Sequence, residues 1–142
     1  MVGPTTVPVP STIAVVPHPD TVAVMHLSGA LDRVFAPEAR AQLVTAVMEG
    51  RRNLILDVHD VPTIDGAGVN TLAYGMHRAR QEGGGLRIVG ATDRVQQRID
   101  LTQHEIPRHA TVVEALAAAA VEEAIASLTN GLTARSGASG NG

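Results

Sequence analysis

Residues 56–72 read LDVHDVPTIDGAGVNTL, and the way this stretch divides decides the fold. Its first residues close NLILDV (53–58), a short apolar run that suits a buried strand. HDVPTID is irregular. Beyond it Val69, Leu72, Ala73 and Met76 recur at helical spacing until QEGGG (81–85) supplies a stop, so a helix begins close to Gly68. The junction is Asp65-Gly66-Ala67-Gly68, an acid followed by three small residues that carry no hydroxyl.

Working outward, TIAVV (12–16) and VAVMHL (22–27) flank PHPD, which is turn chemistry, and predict an antiparallel hairpin. In PEARAQLVTAVMEG (37–50), Pro37 suits a first helical turn, Leu43, Val44 and Val47 share a face, and Gly50 ends the run. Ala36 before it is a weak cap, which predicts a loose start to this helix. Downstream, LRIVGA (86–91) reads as a strand and DRVQQRIDL (93–101) as a short helix with Asp93 placed to cap it. EIPRHA (105–110) reads as a short strand. A last helix over 111–128 would bury Val113, Leu116, Ala117, Ala120, Val121, Ala124 and Ile125. Alternation from residue 22 predicts an α/β sheet with parallel neighbours and a hairpin at its start. There is no internal repeat. The expected domain covers 11–128, between disordered tails at 1–10 and 129–142 that lack apolar periodicity.

The chain has 142 residues and an apolar share of 44%, enough for one core of ordinary size. Phe35 and Tyr74 are its only aromatic residues and its formal net charge is −3. Neither the stacking rings nor the basic footprint of a nucleic-acid binder is present. Cysteine is absent, which excludes thiol catalysis, thiolate metal sites and disulfides. No run approaches the roughly 20 apolar residues of a membrane helix, and the first residues are not those of a secretion signal. The expectation is a cytoplasmic protein with no membrane contact.

The six histidines fall on different predicted elements, with no i, i+4 pair on one helix, so no metal site is expected. No Gly-x-Ser-x-Gly elbow occurs. Asp32 and Asp65 both end strand-like runs and could meet at one sheet edge as an acid–base pair, but a turn residue and a cap explain them as well. GAGVNT (66–71) approaches a dinucleotide fingerprint; Thr71 stands where its third glycine belongs, and Asp65 puts a negative charge where pyrophosphate would sit.

LSGALD (27–32), LDVHDVPTIDGAGVNTL (56–72) and GGGLRIVGATDRVQQRIDLT (83–102) together resemble the STAS domain, shared by sulphate transporters and bacterial anti-sigma factor antagonists. The resemblance covers roughly residues 11–128. It implies a small mixed sheet of about five strands with about four helices mainly on one side. It also implies a switch surface at Asp65, Gly66, Ala67, Gly68, Val69 and Asn70, joined by the loop at Asp32, where an anti-sigma factor of the ATP-binding kinase type docks. Phosphorylation of a serine in that turn ends docking in the family. Here the acceptor position is Ala67, and the nearest hydroxyls, Thr63 and Thr71, are weak substitutes. A phosphate would have added about −1.5 to −2 charge beside Asp65, and a methyl group cannot.

The expected role is therefore a binding module and not an enzyme: an antagonist, or antagonist-like regulator, without the usual off switch. It needs no cofactor, and a homodimer is compatible with it. The alternative is a STAS scaffold or ligand-sensing module that holds a nucleotide or small anion on the backbone amides of the Asp65–Gly68 turn.

Overall fold

The computed structural model describes residues 11–17 and 21–140, the residues from 130 onward as backbone only. Five strands form one sheet in the order β1-β2-β3-β4-β5. They are β1 (Thr12–Pro17), β2 (Val22–Ser28), β3 (Asn53–Asp60), β4 (Gly85–Val89) and β5 (Arg108–His109). β1 runs antiparallel to β2, and every later pairing is parallel. Four helices complete the fold: α1 (Ala36–Met48), α2 (Gly66–Gln81), α3 (Asp93–Asp100) and α4 (Val112–Gly140). The expected mixed sheet with a hairpin at its start is what forms, although residues 18–20 of the expected PHPD turn, like the tail at 1–10, lie outside the described residues.

Alternation along the central strands sorts the core. Ala23, Met25 and Leu27 of β2, Leu54, Leu56 and Val58 of β3, and Leu86 and Ile88 of β4 point to the face that α1, α2 and α3 cover. Val24, Ile55 and Val89 point the other way and meet Ala115 of α4. β3 is buried on both faces, as expected of a central parallel strand. Three helices therefore lie on one face and α4 on the other.

α4 differs from its expected form. Its buried residues are Ala115 and Ala119, while Val113, Val121 and Ile125 are 75%, 58% and 58% exposed. Polar contacts choose the face: Glu122 pairs with Arg87, and Glu123 takes hydrogen bonds from Thr21, Arg52 and Asn53. Its backbone also stays helical through Gly140, beyond the expected end at residue 128; no proline interrupts it.

Two helix starts also differ. α1 has no side-chain cap on its N-cap residue, Phe35, yet Asp32 Oδ1 accepts the N–H groups of Val34 and Phe35 at 3.0 and 3.1 Å. The loose start expected from Ala36 is thereby tightened by a residue three positions before the N-cap. α3 is capped by Thr92, whose Oγ1 accepts the Val95 N–H, and Asp93 occupies its first turn instead.

Candidate functional site

The turn singled out in the sequence lies beyond the C-terminal end of β3, where α/β sheets commonly carry their sites. It is laced to the loop after β2. Leu31 pairs with Ile64 in an isolated parallel bridge, Leu31 N–H donates to Thr63 O at 3.0 Å, and Asp65 N–H donates to Leu31 O at 3.3 Å. The approach is so close that a Cβ at residue 68 would stand 2.1 Å from Leu31 O. Glycine is needed there for space, not for conformation.

Asp65 joins the two loops through its side chain. Oδ1 accepts the Gly68 N–H at 2.9 Å, which caps α2, and Oδ2 accepts the Arg33 N–H at 3.1 Å. The Gly68 N–H is the main reason that its carboxyl lies below the usual carboxylate range. Partial burial opposes this, while the amides of Arg33 and Ala67 and the charge of Arg98 assist it. The amides that a bound anion would need are thus already directed at Asp65, which weighs against the ligand-sensing alternative. Asp32 lies in the partnered loop, but its carboxylate is directed to Val34 and Phe35. Asp65 caps α2, and Asp32 braces the turn that leads into α1.

The remaining expected residues separate into surface and core. Gly66 and Asn70 are exposed, and Ala67 is half-buried. Ala67 and Asn70 line one shallow groove with Arg33, Pro37 and Arg40. Val69, expected on the docking surface, is instead 0% exposed and part of the core. Its helical position one turn before Leu72 and Ala73 turns it inward. Thr71 is also buried, at 6%, and its hydroxyl donates to Ala67 O at 3.0 Å. Thr71 nonetheless lines the same groove as Ala67 and Asn70. Thr63 is half-buried and borders a second depression with Ile64, Arg94, Gln97 and Arg98.

The sequence reading missed two groupings. Arg33 and Arg40 stand on one side of the turn and Arg94 and Arg98 on the other. Dispersed over two helices and a loop, they leave no run of basic residues to notice. The second grouping is on the sheet: parallel pairing sets His26 beside Asp57. Asp57 accepts from or pairs with His26 at 3.2 Å and His59 at 2.6 Å, and His59 reaches Asp60 at 3.1 Å. Its hydrogen bond with Asp57 raises the His59 pKa. Burial acts to raise that of Asp57, but the contacts with His59 and His26 outweigh it and the result is a lowering. Among the described residues no cluster of three or more His, Asp or Glu residues is arranged to hold a metal ion.

A family model described as STAS domain matches residues 14–123. No curated protein matches the chain. Among solved structures, an anti-sigma factor antagonist from Mycobacterium paratuberculosis is similar at 26% identity, over 80% of this chain and 98% of that one, with a TM-score of 0.69. The Bacillus cell fate determinant SpoIIAA in its phosphorylated form is similar at 18% identity, over 74% and 96% of the two chains, with a TM-score of 0.62. The murine anion transporter Slc26a9 is similar at 16% identity with a TM-score of 0.63; 72% of this chain is covered, but only 18% of the transporter. Among the described residues no helix is long and apolar enough to cross a membrane.

Proposed function

The chain belongs to the STAS domain family, and from that premise we propose that it is an anti-sigma factor antagonist, or antagonist-like regulator, that docks a kinase-type anti-sigma factor. Docking takes place on the turn formed by Asp65, Gly66 and Ala67 together with Asn70 and the loop at Asp32. The observation that carries this reading is the lacing of those two loops by Asp65, which presents one preformed surface from residues distant in sequence. Similarity to the mycobacterial antagonist over 80% of this chain and 98% of that one supports it.

The surface lacks the hydroxyl that would let a kinase switch it off. Ala67 carries a methyl group, and the Thr71 hydroxyl is held by its own helix. The turn therefore keeps a fixed charge, and docking is governed by partner abundance and nucleotide state and not by phosphate at residue 67.

The test mixes purified protein with candidate ATP-binding anti-sigma factors, with and without nucleotide, and measures complex formation. Binding by none of them removes the proposal. Ala67→Ser is expected to gain one phosphate from the binding partner and ATP, while the native protein gains none at that position. Uptake at residue 67 in neither variant means that the partner is not a kinase of this type.

A further inference from the structure

α4 turns only one of its sides to the sheet. Ala115 and Ala119 are buried there, and Glu122 and Glu123, on the same side, reach Arg87 and Arg52. On the opposite side Val113, Ala117, Val121, Ala124, Ile125 and Leu128 follow one another at helical spacing, and all six are exposed. Leu128 alone is 69% exposed. From Val113 to Leu128 the stripe is about 24 Å long. No charge interrupts it. The acids of residues 112–129 are Glu114, Glu122 and Glu123, and that span holds no basic residue. Glu122 and Glu123 are engaged as above, and Glu114 accepts the Ala110 N–H at 3.2 Å.

We propose that this stripe seats a second copy of the chain, the two α4 helices packing antiparallel about a twofold axis that passes between Ala120 and Val121. The stripe is self-complementary about that point. Val113 of one copy meets Leu128 of the other, Ala117 meets Ala124, and Ala120 meets Val121, so large residues close both ends while alanines let the backbones approach in between. Antiparallel packing also opposes the helix dipoles and holds the two Glu114 side chains about 20 Å apart, where parallel packing would bring them together. A whole aliphatic side chain presents roughly 60–120 Å². The four large residues, 58–75% exposed, together with the alanines then offer roughly 400 Å² per copy, below the standard interface of about 800 Å² per partner. The dimer is therefore reversible, forming at micromolar concentration and parting on dilution. Other occupants fit less well. A membrane surface selects helices with basic residues beside the apolar face, and α4 offers acids. Unrelated protein partners are met by aromatic and arginine anchors, whereas this stripe is wholly aliphatic, in keeping with the more apolar contacts of identical chains. It lies across the sheet from α1, α2 and α3, so pairing leaves the Asp65 turn of each copy open, and the inference does not rest on the docking role.

Sedimentation equilibrium of the full chain tests this. Between about 1 and 300 µM the mass is expected to rise from the 14.7 kDa of one chain towards twice that value. The rise should persist in about 0.5 M NaCl, because no ion pair contributes to it. Val121→Glu/Ile125→Glu should weaken association about tenfold or more. Its melting temperature at low protein concentration should stay within a few degrees of the native one, since both side chains are exposed in the single chain. Met48→Glu, at an exposed position on α1, should leave association within about twofold. The chain has no cysteine, so Ala117→Cys mixed with Ala124→Cys should give a disulfide-linked pair under mild oxidation in greater yield than either variant alone. A mass that stays at one chain up to the highest concentration overturns the proposal, and so does a dimer that Val121→Glu/Ile125→Glu leaves intact. Val113→Cys that links to itself while the mixed pair does not link overturns the antiparallel arrangement. Binding of a monomer to phosphatidylcholine–phosphatidylglycerol vesicles, lost in the same double variant, assigns the stripe to a membrane and overturns the second copy.

Discussion

Gly66 and Gly68 stand two residues apart in one turn, and the structure assigns them opposite responses to the same substitution. A Cβ at Gly68 would lie 2.1 Å from Leu31 O and 2.6 Å from Ile64 Cγ1, against about 3.4 Å for ordinary contact. The loops must then part by about 1.3 Å, the difference between 3.4 and 2.1 Å. Such overpacking costs about 1–3 kcal/mol. It also weakens the two hydrogen bonds at Leu31, each worth about 0.5–1.5 kcal/mol. Alanine regains up to about 1 kcal/mol through helix propensity. The net for Gly68→Ala is a loss of about 3 kcal/mol, which at this chain length lowers Tm by about 10 °C. At Gly66 nothing lies within 4 Å of the added Cβ, so Gly66→Ala should gain about 0.4–1 kcal/mol. Urea and thermal unfolding of both variants, followed by circular dichroism, give the comparison directly. Equal midpoints for Gly68→Ala and the native protein would refute the claim that the two loops are in contact.

Four further outcomes follow from particular contacts. Ala119→Asp, in the packed face of α4, should cost more than about 2 kcal/mol through an unpaired buried charge, whereas Val121→Asp, on the exposed face, should stay within about 0.5 kcal/mol in urea unfolding. Glu123→Ala leaves Asn53 and Arg52 without their shared acceptor and should cost about 1–3 kcal/mol; no change in unfolding midpoint would mean that this cluster does not hold α4. Because the Asp65 pKa is lowered, its contribution is present above the ordinary carboxylate value and is lost as pH falls through the folded pKa; an Asp65 carboxyl titrating at or above about 3.9 by NMR contradicts the cap. His59 is raised, so its contribution is complete below about pH 6.5 and disappears as pH rises through the folded value. Asp57→Asn should bring its NMR titration back towards the ordinary one, and an unchanged His59 curve would break the assignment.

How far the sequence could be read depended on whether a signal was local. NLILDV, the irregular HDVPTID and the Val69–Met76 spacing each carry their own information, so the strand, turn and helix were legible before any contact was known. The helix α4 was legible too, but its buried face was not, because it is apolar nearly all round: Ala115, Ala117, Ala118, Ala119 and Ala120 give no contrast between faces, and periodicity cannot choose among them. The choice rests on Glu122 and Glu123, whose partners Arg87 and Arg52 come from β4 and the loop before β3. The same limit applied at the site. Asp65 was legible as an acid at a helix start, but its second bond, to the amide of Arg33, spans 32 residues. The grouping of Arg33 and Arg40 with Arg94 and Arg98 about the turn likewise exists only after α1 and α3 have packed on the same face of the sheet. Local chemistry therefore marked where the turn is, and tertiary contacts decided which of its residues remain outside: Val69 moved into the core, and Arg33 and Arg40 took positions beside Ala67.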